Sequence, residues 1–109
     1  MPVSAILVLS TAPTRGEALK IARALLNKRL AACVNILPSI TSLYRWKGRK
    51  EKASEVLLLI KTKKTAFKKL EQAVCKLHSY SVPEIIALPI TAAGKPYLNW
   101  MLKEIDTRL

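Results

Sequence analysis

The stretch CKLHSYSVPEIIALPI, Cys75 to Ile90, holds His78, the single histidine of a 109-residue chain. Cys75 precedes it by one helical turn and Glu84 follows it where a helix should give way to a strand. Residues three apart on a helix share a face, so the Cys75 thiolate and the His78 imidazole suit copper or zinc. The affinity order of divalent ions favours copper, and Glu84 could add a carboxylate. One Cys/His pair is short of a full ligand set, so water or a second subunit would have to complete it. The plainer reading is structural: a histidine at a helix C-terminus is favoured by the macrodipole, and Cys75 is then a small packing side chain.

A second constellation is aromatic and basic: Tyr44, Trp46, Lys61, Tyr80, Tyr97 and Trp100. Aromatic faces with a lysine make a pocket for a small anion or nucleotide. Equally, Trp46 and Trp100 suit packing anchors at an interface, where aromatics dominate the energetics. Lys61 ends an apolar strand, so its charge needs a partner or water. Catalysis finds little support. There is no nucleophile elbow, P-loop or GxGxxG, and no acid-base pair can be picked out.

The elements that must position these side chains form one domain, 1–109, large enough for a single core. Half the residues are hydrophobic, and the net charge is +12 with a pI near 10.1. So basic a chain favours anionic partners such as nucleic acid, and that is the alternative to a small-ligand module. The cationic clusters KGRKEK (47–52) and KTKKTAFKK (61–69) read first as solvated faces. An RNA-binding sheet would need the RNP1 pattern, which is absent. Two cysteines without repeated spacing point to a reducing compartment. No apolar run approaches the roughly twenty residues of a spanning helix, and the N-terminus lacks the basic region and cleavage site of a signal peptide. The expectation is a cytoplasmic protein without a membrane segment.

VSAILVLST reads as a central strand apolar on both faces. Thr14 and Glu17 form a capping box ahead of a helix whose Ala18, Ile21, Ala22, Leu25 and Leu26 recur at the spacing of one buried face. AACVNILPSITSLYRW and SEVLLLIKT flank a turn at KGRKE and predict an overlong hairpin, with a bulge or edge at Pro38. A second helix starts near Thr65, VPEIIALPIT supplies a fourth strand, and Pro96 opens a last helix. The order predicts an α+β, ferredoxin-like βαββαβ sandwich with an extra C-terminal helix. Both long helices would cover one sheet face, leaving apolar central strands bare on the other. The last helix is too short to cover it, so a further subunit should.

RLAACVNILPSITSLYRWKGRKEKASEVLLLIKT, HSYSVPEIIALPI and PYLNW, in this order, resemble the CutA family of divalent-cation-tolerance proteins, in register from about Val3 to Met101. The resemblance implies a homotrimer with inward-facing sheets, similar in plan to PII signal proteins. It also implies no enzymatic activity, and a capacity in some members to bind Cu(II). Counterparts of the aromatic set lie near the cleft between subunits, which makes Tyr44, Trp46, Lys61, Tyr80 and Trp100 the implied ligand residues. The chain departs from the metal-binding pattern at Ser10, where relatives can carry cysteine, and at Ser79 and Ser81 after the histidine. No cofactor is obligatory; a divalent ion is the expected ligand.

Overall fold

The computed structural model describes residues 5–109. Met1 to Ser4, including the Val3 and Ser4 expected at the head of the first strand, lie outside the described residues. Strand β1 (Ala5–Ala12) alternates strictly from Ile6 to Ser10 between buried and half-buried positions. Helix α1 (Arg15–Asn27) begins at Thr14, whose Oγ1 accepts the Glu17 amide at 3.2 Å. The capping box is only half realised: the Glu17 carboxylate accepts from Ser79 instead of returning to the Thr14 amide. The helix buries Ala18, Ile21, Ala22 and Leu25, whereas Leu26, expected on the same face, lies at its margin and is exposed.

Helix α1 closes in a Schellman turn. Leu30 N–H reaches Leu25 O at 2.9 Å and Arg29 N–H reaches Leu26 O at 3.0 Å, with Arg29 at φ 55°. That position usually goes to glycine. Here the arginine is held by its contacts to the C-terminal segment, its guanidinium donating to Lys103 O and its carbonyl accepting from Asp106 N.

Strands β2 (Cys33–Trp46) and β3 (Arg49–Lys63) form the long hairpin. The ladder shifts between Leu37 and Ile40, leaving Pro38 and Ser39 as the bulge expected at the proline, with Ser39 at φ 61°. Lys47 and Gly48 make the turn, both with positive φ, as a two-residue type I′ connection demands. A short 3-10 turn (Lys64–Ala66) leads into α2 (Phe67–Leu77), which buries Leu70, Ala73 and Val74. Strand β4 is only Ile86–Pro89, shorter than the expected Val82–Thr91. It pairs with β1 from Ile6 to Leu9, while Tyr80 to Val82 are drawn beneath the hairpin. Helix α3 (Lys95–Glu104) opens with Pro96 in its first turn and buries Met101.

The sheet order is β2-β3-β1-β4, all antiparallel, with β1 and β3 in the middle. Residues opposite each other across such a ladder share a face. One face carries Ile6, Val8, Ala12, Val56, Leu58 and Ile60 into the core under α1 and α2. The other presents Leu7, Leu9, Leu57 and Leu59 half-buried, with Leu37, Ile86 and Leu88 at 41%, 51% and 45% exposure. Helix α3 covers only the end near Ala5 and Leu7. The hairpin projects beyond the sheet and draws the chain out to 45 × 25 × 22 Å.

Candidate functional site

His78 caps α2, and its side chain is fully buried between three elements. Its Nε2 lies 2.6 Å from the Thr11 carbonyl, at the end of β1. A carbonyl only accepts, so Nε2 carries the proton, and Nδ1 accepts the Tyr80 amide at 3.0 Å. Glu17 of α1 stands 3.4 Å from Nδ1 and accepts from both the amide and the hydroxyl of Ser79 at 3.0 Å. The histidine therefore ties β1, α1 and the segment leaving α2 together, and both ring nitrogens are occupied in doing so.

The three metal donors expected from the sequence do not converge within the chain. Cys75 is exposed on α2, and Glu84 is exposed in the approach to β4. Among the described residues no group of three or more His, Cys, Asp or Glu side chains is arranged to hold a metal ion. The Ser10 hydroxyl sits in the core beside Leu58, fully buried and, among the described residues, without a hydrogen-bond partner. Ser79 is spent on Glu17, and Ser81 lines a cleft beneath the hairpin.

That cleft encloses about 730 Å³. Its floor comes from Thr11 and Glu55, one wall from Tyr44, Trp46 and Glu51 of the hairpin, the other from the Tyr80–Glu84 segment. The Tyr80 hydroxyl donates to Glu55 Oε2 at 2.8 Å, and its ring leans on the His78 ring at 4.8 Å between centroids. Burial, then the hydrogen bond and charge of Glu55, push the Tyr80 phenol up to about 12. Three glutamates line the cleft and no lysine or arginine does.

The expected ligand set thus divides. Tyr44, Trp46 and Tyr80 meet at the cleft, whereas Lys61 and Trp100 belong to the opposite end of the open sheet face. Lys61 Nζ is 3.5 Å from the Tyr97 hydroxyl and 5.5 Å from that ring's centroid. Tyr97 in turn tilts against Trp100 at 5.4 Å. The cavity beside Lys61 is small and apolar, about 160 Å³. An anion at the cleft would face carboxylates, not the lysine that an anion pocket needs.

Glu51 was missed because it stands among lysines in the run 47–52, which reads as solvated surface, and Glu55 because it opens SEVLLLIKT, which reads only as an apolar strand. The signal was there in the turn. Two residues at Lys47–Gly48 set Trp46 against Arg49 and Tyr44 against Glu51, so alternation sends Glu51 to the aromatic face and Lys50 and Lys52 to the other.

The family model described as "CutA1 divalent ion tolerance protein" matches residues 6–104. The chain is 52% identical over 94 residues to the "Divalent-cation tolerance protein CutA" of Thermus thermophilus, covering 86% of this chain and 91% of that one. It is 44% identical over 99 residues to "Protein CutA, chloroplastic" of Arabidopsis thaliana, covering 91% of this chain and only 54% of that longer protein. The solved Thermus thermophilus structure superposes with a TM-score of 0.92 at 48% identity, over 94% of this chain and 99% of that one. A structure titled "Periplasmic divalent cation tolerance protein CutA", from Archaeoglobus fulgidus, gives 0.91 at 39% identity over 94% and 99%. These names place relatives in different compartments. Among the described residues no helix is long and apolar enough to cross a membrane.

Proposed function

The chain belongs to the CutA1 divalent ion tolerance protein family, and from that premise we propose a cytoplasmic, non-enzymatic homotrimer that responds to divalent cations such as Cu(II) and takes a small ligand beneath its hairpin. The observation that carries the assembly is the open sheet face. Leu7, Leu9, Leu57 and Leu59, continued by Ile86 and Leu88, form a contiguous apolar surface of the kind that marks an interaction site. A closed ring of copies with the faces turned inward buries it and leaves no unpaired surface.

Since three donors do not converge within one chain, the divalent ion in this reading sits between subunits. Cys75 and Glu84 are the exposed donors it would draw on, and His78 holds the fold. Native mass spectrometry of untagged protein tests the assembly directly, and a monomer at micromolar concentration would overturn it. Calorimetric titration of Cu(II) tests the donors. Cys75→Ser with Glu84→Gln should abolish saturable binding, and His78→Ala should retain it if the variant stays folded. The opposite pattern would return the metal to the histidine.

A further inference from the structure

We propose that the hairpin cleft is a binding site for a linear aliphatic polyamine. The inference rests on reading this cleft as the module's ligand site, and it names the chemical class of the ligand.

Sign comes first. A chain of net charge +12 repels cations over most of its surface, yet the lining of this cleft carries Glu51, Glu55 and Glu84 and no basic residue. Glu55 is the pointed case. It is only 7% exposed, and among the described residues the one hydrogen bond to its carboxylate comes from a neutral phenol. The one pair of permanent charges in contact among the described residues is Arg108–Asp106, and Glu17 stands beside a neutral His78, so within the single chain no lysine or arginine compensates Glu55. A nearly buried carboxylate without a counter-charge is costly, and a cationic group in the cleft supplies the missing partner.

Spacing decides between a metal ion and an extended organic cation. Glu51 and Glu55 lie on the same face of β3, four residues apart, which separates their Cα atoms by about 13 Å. A metal ion needs its oxygens within about 2–2.6 Å, and the carboxylates here are not grouped for one. Charges strung along a flexible alkyl chain meet such a row one by one.

The aromatic residues supply the rest. Tyr44 is the ladder partner of Glu51, and Trp46 follows it on the same face. Both are almost half exposed, at 46% and 44%, so their rings offer methylene packing and cation–π contact. Tyr80 lines the same cleft from the other wall. Arg49 shares the hairpin face at the turn, opposite Trp46, but does not line the cleft. The volume, about 730 Å³, falls in the usual range for small-molecule sites of about 300–1,000 Å³.

The test is isothermal titration of the full-length protein with spermidine and, separately, with the shorter diamine putrescine. The assembly state is read by native mass spectrometry on the same samples. Spermidine should bind saturably and more tightly than putrescine, with affinity falling as salt rises. Glu51→Gln and Tyr44→Leu, both at exposed positions, should each weaken spermidine by about tenfold. Glu71→Gln, on the exposed face of α2, should leave it unchanged. No saturable spermidine binding, or equal binding by wild type and both cleft variants, overturns the polyamine. A trimer that ignores spermidine refutes this inference alone. A monomer that binds it, and loses it in the two variants, refutes the trimer and keeps the polyamine.

Discussion

At His78 the side chain is buried and both ring nitrogens are paired, Nε2–H to the Thr11 carbonyl and Nδ1 to the Tyr80 amide. His78→Ala leaves a buried acceptor and a part-buried donor without partners. We expect a loss on the order of 3 kcal/mol, measured by chemical denaturation at fixed protein concentration. A loss below about 1 kcal/mol would mean that the ring does not hold this junction. Ser10 gives the opposite sign. Its hydroxyl is buried and unpaired, so Ser10→Ala should be neutral or stabilising by about 1 kcal/mol. Tyr80 adds a pH signature. Its folded value near 12 exceeds the ordinary phenol value of 10.0, so its contribution is complete below pH 10 and is lost as the pH rises through about 12. Ultraviolet titration should show one tyrosine ionising late, and Tyr80→Phe should remove that step together with its share of the alkaline instability. The placement of His78 at a helix end was legible from periodicity. Its role was not, because Thr11 lies 67 residues away and nothing local marks the pairing.

Elements are set by short signals wherever the partner is near in sequence. Thr14 caps α1 as its type and position predict, and Thr14→Ala should cost about 1 kcal/mol. The second half of the capping box failed because Glu17 found a better use across the interface with α2, where Ser79 offers it two donors. Pro38 located the bulge, and the glycine of KGRKE located the turn. Both turn residues adopt positive φ, 50° at Lys47 and 77° at Gly48. Lysine tolerates that region poorly and asparagine tolerates it well. Lys47→Asn should therefore raise the thermal midpoint, while Gly48→Ala should lower it. Equal effects from the two would show that the turn is not held in this conformation. The fourth strand was overestimated because Val82 and Ile85 before it and Ile90 and Thr91 after it are β-prone, yet only Ile86–Pro89 finds a ladder partner. The cleft depended on that same detour of the chain. Its hairpin wall could be counted from the turn, but the wall from Tyr80 to Glu84 could not.

For the whole molecule, the decisive quantity is what covers the leucine face. The bare second face was legible from β1 and β3 being apolar throughout, since two helices can shield only one side of a sheet. Leu88 and Leu26 make a matched pair for testing it. Their exposures are 45% and 42%, but Leu88 is on β4 beside Leu7, whereas Leu26 lies on α1 in the layer over the other face. A lysine at either site stays in water in the single chain, so neither substitution should disturb the subunit's own fold. In an assembly closed through the sheets, Leu88→Lys places an ammonium group in an apolar interface, at a cost of several kcal/mol per subunit. Sedimentation at micromolar concentration should show Leu88→Lys shifted to monomer with its circular dichroism retained, and Leu26→Lys unchanged from wild type. If both variants keep the wild-type sedimentation, the sheets do not face one another. The cleft, continuous with this surface through Glu55, Leu57 and Thr11, would then open to solvent instead of to a neighbouring subunit.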